Sequence, residues 1–269
     1  MAGVTIVALA MHAMRISVGE PRAQAFILAA MWMPALARFI AIRSADRGWQ
    51  SPFPVRRWGR PGLVIAILPL LTVSAIYLGA YALSAIAGVP RSSPVWPAGR
   101  VAANVLVNLP LLSIIGGVGA LGEEMGWRGY LQQRLDQLGV RYSLLWVITL
   151  ETLFHLPLIV LAGYLGATNL TASIVLFFAL GLGLTPVWTW ATYEWGTIWM
   201  AALFHTFHNA VSQVLVPRAL GEGAPLLLGE SGAFPVVSYL MAGLVVFVVL
   251  GRSGQSWGEF ARPVVSNAQ

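Results

Sequence analysis

Long apolar stretches, separated by short segments with arginine, proline or glycine, follow one another along almost the whole chain. A helix needs about 20 apolar residues to cross a bilayer, and this length predicts eight spans. They lie near residues 2–19, 24–42, 63–88, 101–122, 142–165, 170–190, 195–216 and 234–251. The first is short and contains His12 and Arg15, but it lacks the basic n-region and cleavage site of a signal peptide, so we keep it as a helix. The pattern predicts an all-α polytopic membrane protein, one integral domain over 1–269, with about eight transmembrane helices in one bundle.

The composition supports a protein whose partner is the lipid bilayer. The chain is 58% hydrophobic and only 10% charged, whereas a soluble domain has about 25% charged residues. It has no cysteine, which excludes disulfides, thiolate metal sites and a cysteine nucleophile. The basic residues form no block interleaved with aromatics, so we expect no binding of nucleic acid.

The arginines predict the orientation of the bundle. The connection between the second and third spans is the most basic segment, with Arg43, Arg47, Arg56, Arg57 and Arg60. Basic residues concentrate on the cytoplasmic side of membrane proteins, so this connection is expected inside. Alternation then puts further arginines inside, namely Arg128, Arg134, Arg141, Arg252 and Arg262, and leaves outside Arg22, Arg91, Arg100 and Arg218. Both termini are therefore predicted to be cytoplasmic.

A small set of polar side chains lies within the apolar spans, where such groups are costly and often functional. The set is Glu123, Glu124, Glu151, His155, His205 and His208, with Asn209 beside them. Three pairs have the i,i+4 spacing that puts two side chains on one helix face. They are Glu124 with Arg128, if the helix continues through that segment, Glu151 with His155, and His205 with Asn209. Three spans thus each present a polar stripe to a common interior.

Each polar residue also has a structural interpretation. A buried histidine can be an interhelical hydrogen-bonding group worth ~1 kcal/mol, and the paired glutamates and Arg128 could sit at the interface with water. An aromatic belt at the membrane surface explains Trp188, Trp190, Tyr193, Trp195 and Trp199. The functional interpretation is favoured because glutamate, histidine and asparagine occur together on three spans.

Glutamate with two histidines supports two kinds of chemistry. The set could bind a divalent metal such as zinc with one position open, or the glutamate could act as a general base on water. Both produce an activated water, and the remaining histidine and asparagine could stabilise an oxyanion. We therefore expect hydrolysis of an amide in or beside the bilayer.

Other intramembrane protease classes fit less well. There is no H-E-x-x-H zinc helix, and the only aspartates, Asp46 and Asp136, lie in predicted loops. Residues 229–232, Gly-Glu-Ser-Gly, match a short serine-protease motif. We reject that match because it lies in a predicted external loop and no histidine follows it in the chain.

Three motifs in order resemble the CPBP family, which includes the type II CAAX prenyl proteases and the bacterial Abi proteins. They are E-E-x-x-W-R at 123–128, His155 followed by Leu-Pro-Leu, and H-x-x-x-N at 205–209. The segments WRGYLQQRL at 127–135 and MWMPALARFIA at 31–41 are similar to that family as well. The resemblance covers a protease core from about 100 to 216.

The resemblance implies eight transmembrane helices and an active site open towards the cytoplasmic leaflet. Glu123 would activate water with His155, and the Glu124–Arg128 pair would support the site. His205 and Asn209 would be metal ligands or oxyanion partners. Whether the family uses a metal is disputed, so a divalent metal on Glu123, His155 and His205 stays open.

Two residues depart from the family pattern or add to it. Glu151 stands where the family usually has Phe or Trp. Its carboxylate is expected to orient His155, although it could also ligate a metal or compete for that imidazole. His208 is expected to be a neighbour of the site and not a ligand.

The leading functional hypothesis is an intramembrane endopeptidase that cleaves a membrane-anchored protein or a peptide, in a bacterial inner (plasma) membrane. The alternative is a non-catalytic immunity or scaffold protein on the same fold. A transporter with a Glu/His proton relay comes last, because the chain shows no duplicated halves.

Overall fold

The computed structural model describes residues 1–51, 62–166 and 169–253, and these residues contain helices and no strand. The α-helices are α1 (Ala2–Ala13), α2 (Gln24–Ser44), α3 (Gly62–Ile86), α4 (Val101–Gly126), α5 (Gln132–Gln137), α6 (Ser143–Leu161), α7 (Leu170–Trp195), α8 (Ile198–Ala210), α9 (Val216–Leu220), α10 (Pro225–Leu228) and α11 (Ala233–Ser253). Two π-helical turns, Trp127–Leu131 and Val211–Leu215, join α4 to α5 and α8 to α9.

The prediction of an all-α membrane protein is confirmed. Over the described ranges, six helical segments are long and apolar enough to cross a membrane: Pro21–Ser44, Ile67–Ile86, Ala98–Gln137, Ser143–Leu161, Leu170–Trp195 and Pro225–Val249. Helices suit lipid because they satisfy every backbone polar group internally.

Two of the eight predicted spans are shorter than their apolar pattern suggests. Helix α1 has 12 residues, or about 18 Å, which is less than the ~30 Å of hydrocarbon. It ends at Ala13, and Arg15 then takes a left-handed backbone conformation with φ of 54°. The seventh span is α-helical only over Ile198–Ala210 before the π turn begins.

The bundle has two ends with different connections. The end with the α2–α3 and α5–α6 connections is called the arginine end. There, Asp46 accepts hydrogen bonds from Tyr130 at 2.9 Å and Arg134 at 2.7 Å, and Trp49 donates to Gln137 at 2.9 Å. The predicted basic residues Arg56, Arg57, Arg60 and Arg262 lie outside the described residues, and so does the side chain of Arg252.

The other end, called the distal end, carries the α1–α2, α3–α4 and α6–α7 connections and the segment 221–232. Its connections bind one another through the backbone. The amide of Val18 donates to the carbonyl of Ala162 at 3.0 Å, and that of Ser92 donates to Glu222 at 2.8 Å. The two ends are thus fixed by separate sets of contacts.

Glycines let two helix pairs approach closely. A side chain at Gly122 would put its Cβ 2.9 Å from the carbonyl oxygen of Met31, and one at Gly126 would lie 2.4 Å from Pro34. Gly183 of α7 meets Tyr239 of α11 in the same way, at 2.4 Å. Small residues at such crossings permit the van der Waals contact that holds membrane helices together. The α2–α4 crossing fixes the end of α4, where the paired glutamates lie.

Candidate active site

Arg128 ties three helices together at the floor of the site. It follows α4 in the π turn Trp127–Leu131, and its side chain is only 1% exposed. One nitrogen donates to Glu124 at 3.1 Å and to Glu151 of α6 at 2.9 Å, and the other donates to Thr185 of α7 at 3.0 Å. The guanidinium also lies 5.3 Å from the ring centre of Trp188. A π turn adds a residue to the helical turn and is frequent at functional sites.

The burial of Arg128 contradicts one of its two predicted roles. The sequence predicts Arg128 both as a residue of the cytoplasmic side and as the partner of Glu124. Because it is enclosed by carboxylates, it does not report where the membrane surface lies. The predicted pairing with Glu124 is present.

Glu124 also holds the first histidine of the site. His205 Nδ1 lies 2.9 Å from Glu124 Oε1, and the imidazole packs on Trp188 with ring centres 5.2 Å apart. A carboxylate accepts hydrogen bonds, so Nδ1 carries the proton that is shared with Glu124. Nε2 is thereby left for other contacts, and His205 lines the adjacent cavity.

The ring of His155 is held by the main chain. Its Nδ1 lies 2.8 Å from the carbonyl oxygen of Glu151. The carbonyl can only accept, so Nδ1 donates and Nε2 presents its lone pair. That Nε2 lies 3.8 Å from Glu123 Oε2. The expectation that the Glu151 carboxylate orients His155 is therefore wrong, because this carboxylate is taken by Arg128 and the backbone of the same residue orients the ring.

Glu123 makes no side-chain hydrogen bond among the described residues, whereas Glu124 accepts hydrogen bonds at Oε1 and has only Oε2 without one. Glu123 Oε2 is buried and makes no hydrogen bond within the described part of the chain. Side-chain oxygens in such surroundings are usually satisfied, so an unpaired carboxylate oxygen calls for an explanation. Its distance from His155 exceeds a direct hydrogen bond, yet one water at ~2.8 Å from each atom could contact both.

A cavity of about 610 Å³ joins the predicted site residues. Glu123 of α4, His155 of α6, and His205 and Asn209 of α8 all line it. The Asn209 side chain has no hydrogen bond to another described residue, so its amide is available to a bound molecule. Glu124 and Arg128 lie behind this lining and support it.

The predicted metal ligands share the cavity without forming a metal-binding group. Over the ranges that the structure describes, no cluster of three or more histidine, aspartate or glutamate side chains is arranged to hold a metal ion. A metal on Glu123, His155 and His205 therefore stays a prediction.

A second polar cluster, which the sequence did not reveal, lies on the wall of the same cavity around Glu230. His208 bonds Tyr239 at 2.9 Å and Glu230 at 3.2 Å. Glu230 also accepts from Tyr164 at 2.9 Å and Gln213 at 2.9 Å. The expected role of His208 as a neighbour agrees with these contacts. The sequence signal for Glu230 is a carboxylate in the Gly/Pro-rich segment before the last span. That residue is also part of the rejected Gly-Glu-Ser-Gly motif, which gave no reason to pair it with His208.

Removing the Glu230 carboxylate should destabilise the distal end. We expect Glu230→Ala to lower the free energy of unfolding by about 2 kcal/mol, because it leaves a buried donor of His208 and the half-buried hydroxyl of Tyr164 without an acceptor. Unfolding of the purified protein in detergent measures the effect. Glu222→Ala, at an exposed glutamate of the same segment, is the matched control. Equal stability of the two variants would contradict a structural role for this cluster.

Trp188 is also placed differently from its prediction. The sequence assigned it to an aromatic belt at the membrane surface, but it is only 2% exposed. Its ring contacts both the guanidinium of Arg128 and the ring of His205. Its indole therefore packs the floor of the site, and sequence spacing within an aromatic-rich segment gave no sign of this.

Fold and site together define a polytopic α-helical membrane protein with a buried glutamate and two histidines around one cavity. Residues 103–211 match the family model described as type II CAAX prenyl endopeptidase Rce1-like. This segment lies inside the core predicted at 100–216, and the match supports the resemblance to the CPBP/CAAX protease family. Comparisons with curated proteins and with solved structures gave no match.

Proposed function

We propose that the protein is an intramembrane endopeptidase in which Glu123 activates water for attack on a peptide bond. The observation that carries this proposal is the unpaired, buried Oε2 of Glu123, 3.8 Å from the Nε2 of an oriented His155, on the wall of a cavity. The family supports the class of reaction, that of a CAAX protease-type membrane endopeptidase. The residue roles and the substrate are our proposal.

The proposed step begins with a water between Glu123 and His155. Glu123 takes one proton from the water while the water oxygen forms a bond to the carbonyl carbon of the peptide. His155 Nε2 accepts the second hydrogen of the water in a hydrogen bond and so aims the attacking lone pair. When the tetrahedral intermediate collapses, the C–N bond breaks and Glu123 passes its proton to the leaving amine.

The oxyanion would be stabilised from α8. The Asn209 amide lines the cavity and can donate to it, and a protonated His205 can donate from Nε2 while Nδ1–H stays on Glu124. Donors fixed in advance at the position of developing charge contribute strongly to catalysis. In this arrangement Glu124 and Arg128 are positioning residues, because they act through His205 and do not touch the substrate.

The metal alternative can be decided on purified protein. If a divalent metal acts in the site, elemental analysis should find about one equivalent in the wild type and much less in His205→Ala. If Glu123 works on free water, neither protein should retain metal after chelation, and the wild type should keep its activity.

His155 offers a direct test of the proposal. We expect His155→Ala to reduce cleavage of a peptide library in detergent by ~10²-fold or more, the size of a lost acid–base partner. Mass spectrometry of the products measures it. His12→Ala changes a histidine outside the cavity and should cleave like the wild type. If the wild type cleaves no peptide, or if His155→Ala cleaves equally well, the proposal fails.

The substrate class is proposed from the setting of the site. The cavity lies among membrane-spanning helices, so a peptide or a protein held at a membrane is the expected substrate. A bacterial inner membrane with the C-terminus in the cytoplasm is the proposed location and orientation, and the short α1 leaves the predicted cytoplasmic N-terminus outside this proposal. Arginine placement supports that orientation.

A further inference from the structure

Glu230 is a second carboxylate on the cavity wall, and the proposed reaction does not use it. The same cavity is lined within the spans by Met31 of α2 and Gly116 of α4, and it includes Glu123. The Glu230 side chain is 10% exposed. A carboxylate in such a place is either neutralised within the protein or available to a charged ligand, because an unpaired buried charge is costly.

The Glu230 carboxylate is held in position by hydrogen bonds from several elements. Its main-chain oxygen accepts from Tyr77 of α3 at 2.9 Å. Oε1 accepts from the Tyr164 hydroxyl at 2.9 Å and from His208 at 3.2 Å, and Oε2 accepts from the Gln213 amide at 2.9 Å. An ionised carboxylate offers about four acceptor positions. The three side-chain bonds therefore fix the group and leave it able to accept one more donor.

The contacts of His208 favour its neutral form. Its Nδ1 lies 2.9 Å from the hydroxyl of Tyr239, which has no other acceptor among the described residues. Tyr239 is fully buried, so an unused O–H donor there would be costly. The hydroxyl accordingly donates to Nδ1, and the single ring proton lies on Nε2, which donates to Glu230. All three side-chain donors to Glu230 are thus uncharged.

The rest of the cavity supplies no cation for Glu230. No arginine of the described ranges lines this cavity or the pocket of about 50 Å³ that also contains Glu230, and the chain has no lysine. The charged or imidazole side chains on the wall of the larger cavity are Glu123, Glu230, His155 and His205. The counter-charge of Glu230 is therefore expected from a bound molecule.

We infer that Glu230 is a specificity-determining residue that binds a cationic side chain, lysine or arginine, of the peptide substrate. This inference rests on the proposed function, because it names a feature of that function's substrate. Tyr164 connects the two sites: its ring stacks on His155 with ring centres 5.9 Å apart, and its hydroxyl binds Glu230. An extended peptide advances about 3.3 Å per residue. The cationic residue is accordingly placed a few positions from the scissile bond.

Cleavage of matched peptides tests this role. Starting from a peptide that the wild type cleaves, each position within about three residues of the scissile bond is changed in turn to lysine or to norleucine, which has a similar length and no charge. Charge-assisted hydrogen bonds are strong in buried sites. At one position at least, we expect kcat/KM of the wild type to be about tenfold or more higher for lysine than for norleucine.

The variant Glu230→Gln should reduce that lysine-to-norleucine ratio to within about twofold. Glutamine keeps the shape and an acceptor for Tyr164, and Gln213 can turn its amide to match. Glu222→Gln, at an exposed glutamate of the same segment, is the matched control and should keep the wild-type ratio. A purely structural role would lower both rates and leave the ratio unchanged. An unchanged ratio in Glu230→Gln, or no lysine preference in the wild type, would overturn the inference.

Binding separates this inference from the endopeptidase proposal. Isothermal titration of the Glu123→Gln protein in detergent compares a lysine peptide of the library with its norleucine counterpart. We expect a Kd about tenfold or more lower for the lysine peptide, and loss of this difference when Glu230→Gln is added. Selective binding without cleavage by the wild type would keep the role of Glu230 and count against the endopeptidase. Cleavage without selectivity would overturn the inference alone, and the absence of both would overturn both proposals.

Discussion

Replacing Glu123 by glutamine is expected to reduce peptide hydrolysis by ~10²–10⁴-fold, the contribution of a general base. The substitution keeps the size of the side chain and removes its ability to take a proton from water. The Oε2 atom has no hydrogen bond among the described residues, so folding should be little affected. Initial rates on a peptide cleaved by the wild type measure the change, with thermal unfolding in the same detergent as the check on folding.

The matched control for this substitution is Glu194→Gln. Glu194 is exposed near the end of α7 and outside the cavity, so the same chemical change there should leave the rate unchanged. A rate for Glu123→Gln within twofold of the control would show that Glu123 is not the base. In that case the alternative of a non-catalytic immunity or scaffold protein would be favoured.

Truncating Arg128 to alanine is expected to lower the free energy of unfolding by ~3–5 kcal/mol, the usual cost of breaking a buried ion pair by removing one partner. Glu124 would be left fully buried without its cation, and Thr185 and Glu151 would lose the group that joins their helices. Unfolding in mixed micelles, followed by helical circular dichroism, measures the difference.

Arg141→Ala is the matched control, because Arg141 is exposed and its substitution should cost less than about 1 kcal/mol. Arg128→Lys separates charge from geometry. Lysine keeps the charge but cannot reach three partners with a rigid fork of donors, so we expect an intermediate stability. Equal stability of the alanine variants at 128 and 141 would refute the proposal that the hydrogen bonds of Arg128 hold α4, α6 and α7 together.

Much of the site could be predicted from the sequence because charged and strongly polar residues are rare within membrane spans. In a chain with 10% charged residues, each carboxylate or imidazole within an apolar run is conspicuous, and i,i+4 spacing gives the shared face. This sufficed to place Glu123, His155, His205 and Asn209 around one interior. It also sufficed for the Glu124–Arg128 pair, which lies within a single helical segment.

The remaining contacts join residues that are distant along the chain. Glu151 and His155 share a helix face, yet spacing gave no sign that the Glu151 carboxylate would turn to Arg128 and leave its backbone to the imidazole. Glu230 is 22 residues from His208 and bonds it only because segment 221–232 folds back over the cavity. No local sequence pattern predicts that this segment brings Glu230 to His208.

Apolar length and scarce charge allow only membrane helices, so the class of the protein can be predicted from the chain alone, and the three family motifs follow in order along it. The partner that each polar group takes is visible only in the folded bundle. Helix periodicity fixes the face on which a side chain lies, whereas a partner on another helix depends on how the helices cross. Those crossings are set by glycines such as Gly122, Gly126 and Gly183, whose contacts become visible only when the bundle is assembled.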